Sequence, residues 1–379
     1  MDSRTQTPVA DRKISPRFSV ALDAARATAA FYVVLHHVGQ ARGWTEGGLA
    51  SGGVLLRFGQ EAVLIFFLLS GFVIFLNERR RADDVSGYFQ RRFRRIYPTL
   101  IAAMAVSALV ALDNGDFLAR FSWWELLGTL LSLQDVAALK PGVIVAPFLD
   151  NEPLWSLSYE VAFYLVFPLV IRFWLRRPAL TNHAVGVVCC LCYAAFIVAP
   201  NHFTLVGAYF LVWWCGAMAA DAYQRGGRSF LAMGPILLWL VALCGVACLA
   251  FLVTPFDGVG HYPFLPLRHF AVALLMILVL FGPVGSALCA GVTWLGRAPV
   301  AVASISYGVY VLHFPLMVQW RGAATLPGLA VGFGLLILTS YVFDRVLSRF
   351  LTDRAAAKRR RAAAPATASP SAGPDASCS

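Results

Sequence analysis

Apolar runs near the length that spans a hydrocarbon core, about 20 residues of helix, recur along this chain with charged residues gathered between them. They lie at Ser19 to Gly39, Val54 to Asn77, Arg94 to Leu112, Trp155 to Leu175, His183 to Pro200, His202 to Ala220, Phe230 to Val253, Arg268 to Pro283, Val300 to Trp320 and Leu326 to Leu347. This pattern predicts an all-α, polytopic membrane protein with about ten transmembrane helices. Residues 19–350 form one membrane domain, between a short N-terminal segment, 1–18, and a tail, 351–379. The tail is rich in Ala, Pro and Ser and is expected to be disordered. The first span begins at an internal polar residue and no small-x-small cleavage site follows it, so it is expected to stay attached.

Composition strengthens the membrane reading. Of 379 residues, 59% are hydrophobic and only 13% are charged, with a mean hydropathy of +0.69. An ordinary soluble domain is far more polar. Charge then orients the chain. With the N-terminus inside, alternate loops and tails, counted with the span ends beside them, hold 24 of the 31 Lys and Arg residues, the opposite side holds 6, and the last, Arg26, lies farther within the first span. The positive-inside rule therefore predicts that both termini are cytoplasmic. Topology and anionic lipid account for the net charge of +11, so the lipid bilayer is the expected partner and nucleic acid is not. Six of the eight cysteines fall in the apolar spans and Cys289 lies between two of them, and no metal-ligand spacing occurs, so neither a disulfide nor a metal is expected.

Candidate chemistry lies in the polar residues inside these spans, which are costly there and functional by default. On the first span Arg26 precedes His37 by eleven residues, close to three turns, so both share a helix face roughly 16 Å apart. Asp23 lies one turn before Arg26, and His36 points about 100° away from His37. Snorkelling of Arg26 and a core hydrogen bond at His37 account for this pattern equally well. The fourth span places Glu160 about two turns from its outer end with Tyr164 four residues on, a depth expected to be similar to that of His37. A carboxylate beside an imidazole would hold its tautomer, as general-base chemistry requires. Ser306, Tyr310 and His313 form a polar stripe on the ninth span, where packing is the other role. Arg91, Arg92, Arg94 and Arg95, at the start of the third span, serve either topology or phosphate binding. The outside segment from Asp113 to Pro153 carries six acidic residues and Trp123 and Trp124, and is placed to cap an outward-facing site.

Five blocks in order resemble the acyltransferase 3 family of membrane-bound O-acyltransferases. They are LDxxR…H in the first span, FFLLSGFVI from Phe66 to Ile74, RRFRRIYP from Arg91 to Pro98, WSLSYEVAFY from Trp155 to Tyr164 and SYGVYVLHFP from Ser306 to Pro315. The resemblance implies ten membrane helices and transfer of an acyl group, commonly acetyl, from acyl-CoA to a hydroxyl of a saccharide or glycoconjugate. A bacterial inner membrane is the implied location. Carried over by position, Arg26 and His37 are the family's Arg-x10-His pair, with His37 the base; Glu160 is the carboxylate that supports it; and Arg92 and Arg95 engage CoA. His36, Tyr164, Ser306, Tyr310 and His313 are candidate pocket residues. A transient acyl-histidine is the other route. The chain departs from the pattern at His36, Leu64, Val161 and Ala162. A transporter or exporter of a small molecule or glycan is the alternative function, because such proteins also carry charges at the midplane, although no inverted repeat or paired broken helices are visible. A non-catalytic scaffold on the same fold is a third.

Overall fold

A computed structural model of the chain describes residues 14–46, 52–226, 230–280, 283–296, 298–347 and 349–350. The expected tail and most of the N-terminal segment lie outside these. We number the main helices α1 (Pro16–Ala41), α2 (Gly59–Glu78), α3 (Val85–Asn114), α4 (Trp155–Arg176), α5 (Pro178–Val198), α6 (His202–Gln224), α7 (Phe230–Leu249), α8 (Phe264–Leu280), α9 (Ser306–His313) and α10 (Leu326–Tyr341). The described residues form an all-α bundle, and eight helices are long and apolar enough to cross a membrane.

Local chemistry sets many of the boundaries. Ser15 and Asp84 accept backbone N–H bonds at the starts of α1 and α3, and Asn201 and Thr325 do so for α6 and α10. Proline begins α1 and α5, where its missing N–H is no loss.

Two expected spans depart from a simple rod. Helix α8 has only 17 residues. The ninth span, expected to be continuous from Val300 to Trp320, is broken: a short helix, Ala298–Ala303, stops, α9 restarts at Ser306, and a π-helical turn, Phe314–Gln319, follows. The Ser306 hydroxyl donates to the Ala303 carbonyl at 2.8 Å, closing the break. Asp344, in a second π-helical turn at Val342–Leu347 after α10, accepts the Gly308 N–H at 2.7 Å. A carboxylate there satisfies an orphan donor and complements the dipole of the restarted helix.

Helices α2 and α6 form the centre. A Cβ on Gly71 would lie 2.0 Å from the Trp213 carbonyl oxygen, and one on Gly216 would lie 2.0 Å from the Leu68 carbonyl oxygen. Only glycine lets the two backbones approach so closely, the usual means of binding helices where lipid removes the hydrophobic drive. Trp213 and Trp214 are fully buried on α6. By contrast, leucines such as Leu191, Leu238 and Leu338 on α5, α7 and α10 are exposed, as expected of lipid-facing surfaces.

The segment between α3 and α4 folds over one end of the bundle. Its helix Trp123–Leu130 is capped by Ser122, and the stretch beyond it is pinned by a buried knot. Asp135 receives Lys140 Nζ at 2.8 Å and the Tyr159 hydroxyl at 2.8 Å, with His202 Nδ1 at 3.6 Å. Lys140 also lies 4.2 Å from the centre of the Trp155 ring, a cation–π contact. Burial opposes the charge on Asp135, yet Lys140 and His202 hold its carboxyl below the usual carboxylate range. The Leu139 carbonyl accepts the Tyr262 N–H at 2.9 Å, tying the same stretch to the loop before α8.

Candidate active site

Two cavities lie within the bundle on either side of Tyr310. The larger encloses 630 Å³, toward the end of the bundle that carries Arg91 to Arg95. Six arginines line it, Arg26, Arg91, Arg92, Arg94, Arg95 and Arg345, against the carboxylates Glu160 and Asp344. Arg91 is largely satisfied: it forks onto Glu78 at 2.9 and 2.5 Å and reaches Asp84 at 2.9 Å. Arg92 approaches Glu78 at 3.6 Å and lies over the rings of Tyr88 and Tyr164. Arg95 lies 5.4 Å from the Tyr307 ring centre. Arg94, Arg95 and Arg345 have no ion-pair partner among the described residues. A chamber of this size with surplus guanidinium groups suits a polyanionic ligand of phosphate type.

Farther in, Ser70 joins the groups that line this chamber. Its hydroxyl donates to Glu160 Oε1 at 2.9 Å and lies 3.0 Å from the Tyr164 hydroxyl, which also donates to Glu160. Trp213 Nε1 donates to Ser70 Oγ at 3.2 Å. Arg26 lies 3.8 Å from Asp23, the pairing expected from their spacing.

The smaller cavity, about 20 Å³, has room for roughly one water. His37 lines it with Gln60, Glu152, Trp155 and Tyr310, and Val136 and Leu139 of the folded segment close it over. The two neighbouring histidines are distinguished by their surroundings. His36 is buried, its Nδ1 lies 2.5 Å from the Leu56 carbonyl, and its ring packs where a Cβ of Gly59 would stand. His37 instead lies beside His313 and Phe314, with ring centres 5.3 and 5.2 Å away. His313 is fully buried, its Nδ1 is 2.7 Å from the Tyr310 carbonyl, and its Nε2 has no hydrogen-bond partner among the described residues. Because a carbonyl only accepts, Nδ1 carries the proton and the neutral His313 ring keeps the Nε2 lone pair free.

These positions regroup the residues expected from sequence. Arg26, Arg92, Arg95, Glu160, Tyr164 and Ser306 line the large cavity, whereas His37 lines the small one and Tyr310 lines both. Glu160 is therefore not brought to His37. It lies five residues beyond Trp155, about 7.5 Å further along α4, whereas Trp155 itself borders the His37 pocket. The carboxylate that lines that pocket is Glu152, one of the acidic residues of the capping segment. Ser70 was visible within FFLLSGFVI, and Asp344 within the tenth span, but neither had a periodic polar partner to mark it.

A family model described as an acyltransferase domain matches residues 19–345. Among curated proteins, Acyltransferase MdmB of Streptomyces mycarofaciens is 37% identical over 126 residues, covering 33% of this chain and 31% of that protein. Nodulation protein 10 of Rhizobium leguminosarum bv. viciae is 24% identical over 284 residues, covering 69% and 73%. O-acetyltransferase OatA of Staphylococcus aureus is 26% identical over 185 residues, covering 44% and 27%. The match thus spans about a third of the first relative's length and about a quarter of the last. No solved structure matches the chain significantly.

Proposed function

Since this chain belongs to the acyltransferase 3 family, we propose that it is a membrane-bound O-acyltransferase that moves an acyl group, acetyl in particular, from acyl-CoA to a hydroxyl of a saccharide or glycoconjugate. The observation that carries the reading is the pairing of a 630 Å³ arginine-lined chamber with a histidine pocket on the far side of one shared residue. The phosphates of CoA match the guanidinium groups of Arg92, Arg94 and Arg95, the last two without an ion-pair partner among the described residues. The thioester extends past Ser70 and Glu160 toward His37.

At that end His37 accepts the proton of the acceptor hydroxyl as its oxygen attacks the thioester carbonyl. The tetrahedral intermediate then collapses: the carbon–sulfur bond breaks, the ester remains, and the leaving thiolate takes up the proton held by His37, giving free CoA and the neutral base. His313, with its free Nε2, lies beside His37 and supports the positive charge that His37 acquires. Arg26, Ser70, Tyr164 and Glu160 hold the donor rather than the base. The distribution of basic residues supports a cytoplasmic chamber and cytoplasmic termini, with the acceptor on the other face, and the bacterial sources of the relatives favour a bacterial inner membrane.

Purified protein in lipid should release thiol from acetyl-CoA when supplied with a saccharide acceptor. His37→Ala should stop that release. A transporter would release none, and turnover at the wild-type rate in the variant would overturn the mechanism. Comparing O-acyl groups on surface glycans of cells with and without the gene would identify the acceptor class.

A further inference from the structure

The two cavities share one lining residue, Tyr310. It is buried, with 4% of its surface exposed, and its side chain is held at both ends. The hydroxyl donates to the Pro153 carbonyl at 2.8 Å and lies 2.8 Å from Ser156 Oγ, while the ring centre is 5.4 Å from that of Phe66. Its own carbonyl anchors His313 Nδ1. A ring tied at its tip, side and backbone does not swing aside at little cost, because movement would leave buried polar groups unpaired. Beyond it, the His37 pocket has space for about one water.

We propose that the Tyr310 ring is the wall that sets acyl chain length, restricting the donor to acetyl. This rests on the acyl-transfer reading above. A thioester carbonyl presented to His37 must lie at the boundary between the cavities, so its acyl tail lies against Tyr310. A methyl group fits there. Each further methylene must displace the ring or enter a pocket with no room for it. A well-packed apolar wall discriminates roughly 10- to 200-fold per methylene.

The test compares kcat/KM for acetyl-, butyryl- and hexanoyl-CoA, each by thiol release with one saccharide acceptor. The ratio between donors cancels any difference in the folded fraction. The wild type should favour acetyl, and Tyr310→Ala should raise the butyryl-to-acetyl ratio about tenfold or more. Tyr310→Leu, which retains apolar bulk, should give a smaller rise, and Tyr310→Phe, which keeps the ring but loses the ties at its tip, should give the smallest. An unchanged ratio in Tyr310→Ala would overturn the proposal. So would an equal rise in Tyr310→Phe, which would assign selection to the hydroxyl and not to the ring. If Tyr310→Ala and Tyr310→Leu both lost turnover with every donor while still binding CoA, the ring would be part of the chemistry and the proposal would fall. Failure of the underlying reading looks different: the wild type itself would consume no acyl-CoA of any length.

Discussion

The two chambers that meet at Tyr310 are built from opposite materials. One holds 630 Å³ and six arginines; the other holds about 20 Å³ and is bordered by His37 and Glu152. The first is roomy because several long side chains brace one another around a gap, as Arg91 does on Glu78 and Asp84 and as Arg92 does on two tyrosine rings. The second is tight because a folded segment, locked by Asp135 and Lys140, lies across it. On the proposed acyl transfer, binding energy for a large charged donor would be gathered in the first chamber, while the second admits no more than about one water beside His37.

That contrast can be broken most severely at His37. His37→Ala should lower turnover by about 10²- to 10⁴-fold with little change in donor affinity, measured as kcat and KM for acetyl-CoA. A rise in KM alone would place His37 with the donor instead. Next in size is the cover of the tight chamber. Lys140→Met leaves the buried Asp135 carboxylate without its main partner and should cost about 3–5 kcal/mol of stability, read by denaturant or thermal unfolding in detergent. The double variant Asp135→Asn with Lys140→Met should recover part of that loss.

Arg95→Ala should raise KM for acetyl-CoA by roughly tenfold while kcat changes little, as removal of one charge-assisted contact would. Glu160→Gln sharpens the comparison further. Its effect should appear in the donor KM, and the pH dependence of kcat should keep its wild-type midpoint; a shifted midpoint would return Glu160 to the imidazole. The smallest effect is one of pH on the cover. Because the folded Asp135 carboxyl is held below its ordinary value of about 3.9, its contribution is complete above that value and is lost only as pH falls through the depressed one. Protease protection of residues 131–147 should therefore persist from neutral pH to about pH 4, decline progressively below it, and be lost once pH has fallen through the depressed value.

Much of this was legible in sequence. Eight of the ten expected spans are helices long and apolar enough to cross a membrane among the described residues, and the eleven-residue spacing of Arg26 and His37 fits two side chains that each line a cavity. Spacing measures height along one helix and rotation about it. It carries nothing about tilt between helices, so Glu160 and His37 were expected together although they face different chambers. The break in the ninth span was hidden because Ala303, Ser304 and Ile305 neither charge nor interrupt the apolar run enough to show it. What stabilises the restart, Asp344, is 36 residues away from Gly308. The knot of Asp135, Lys140, Tyr159 and His202 joins three segments, a long-range pairing that no periodicity reports.

The glycine joint between α2 and α6 bears on how such a protein could be redesigned. With Gly71 against the Trp213 carbonyl and Gly216 against the Leu68 carbonyl, these helices are keyed together beside Ser70 and admit no added side chain on either surface. On the proposed function, libraries aimed at new acceptors would leave that joint untouched and diversify Val136, Leu139 and Glu152, which line the small cavity from outside the keyed helices.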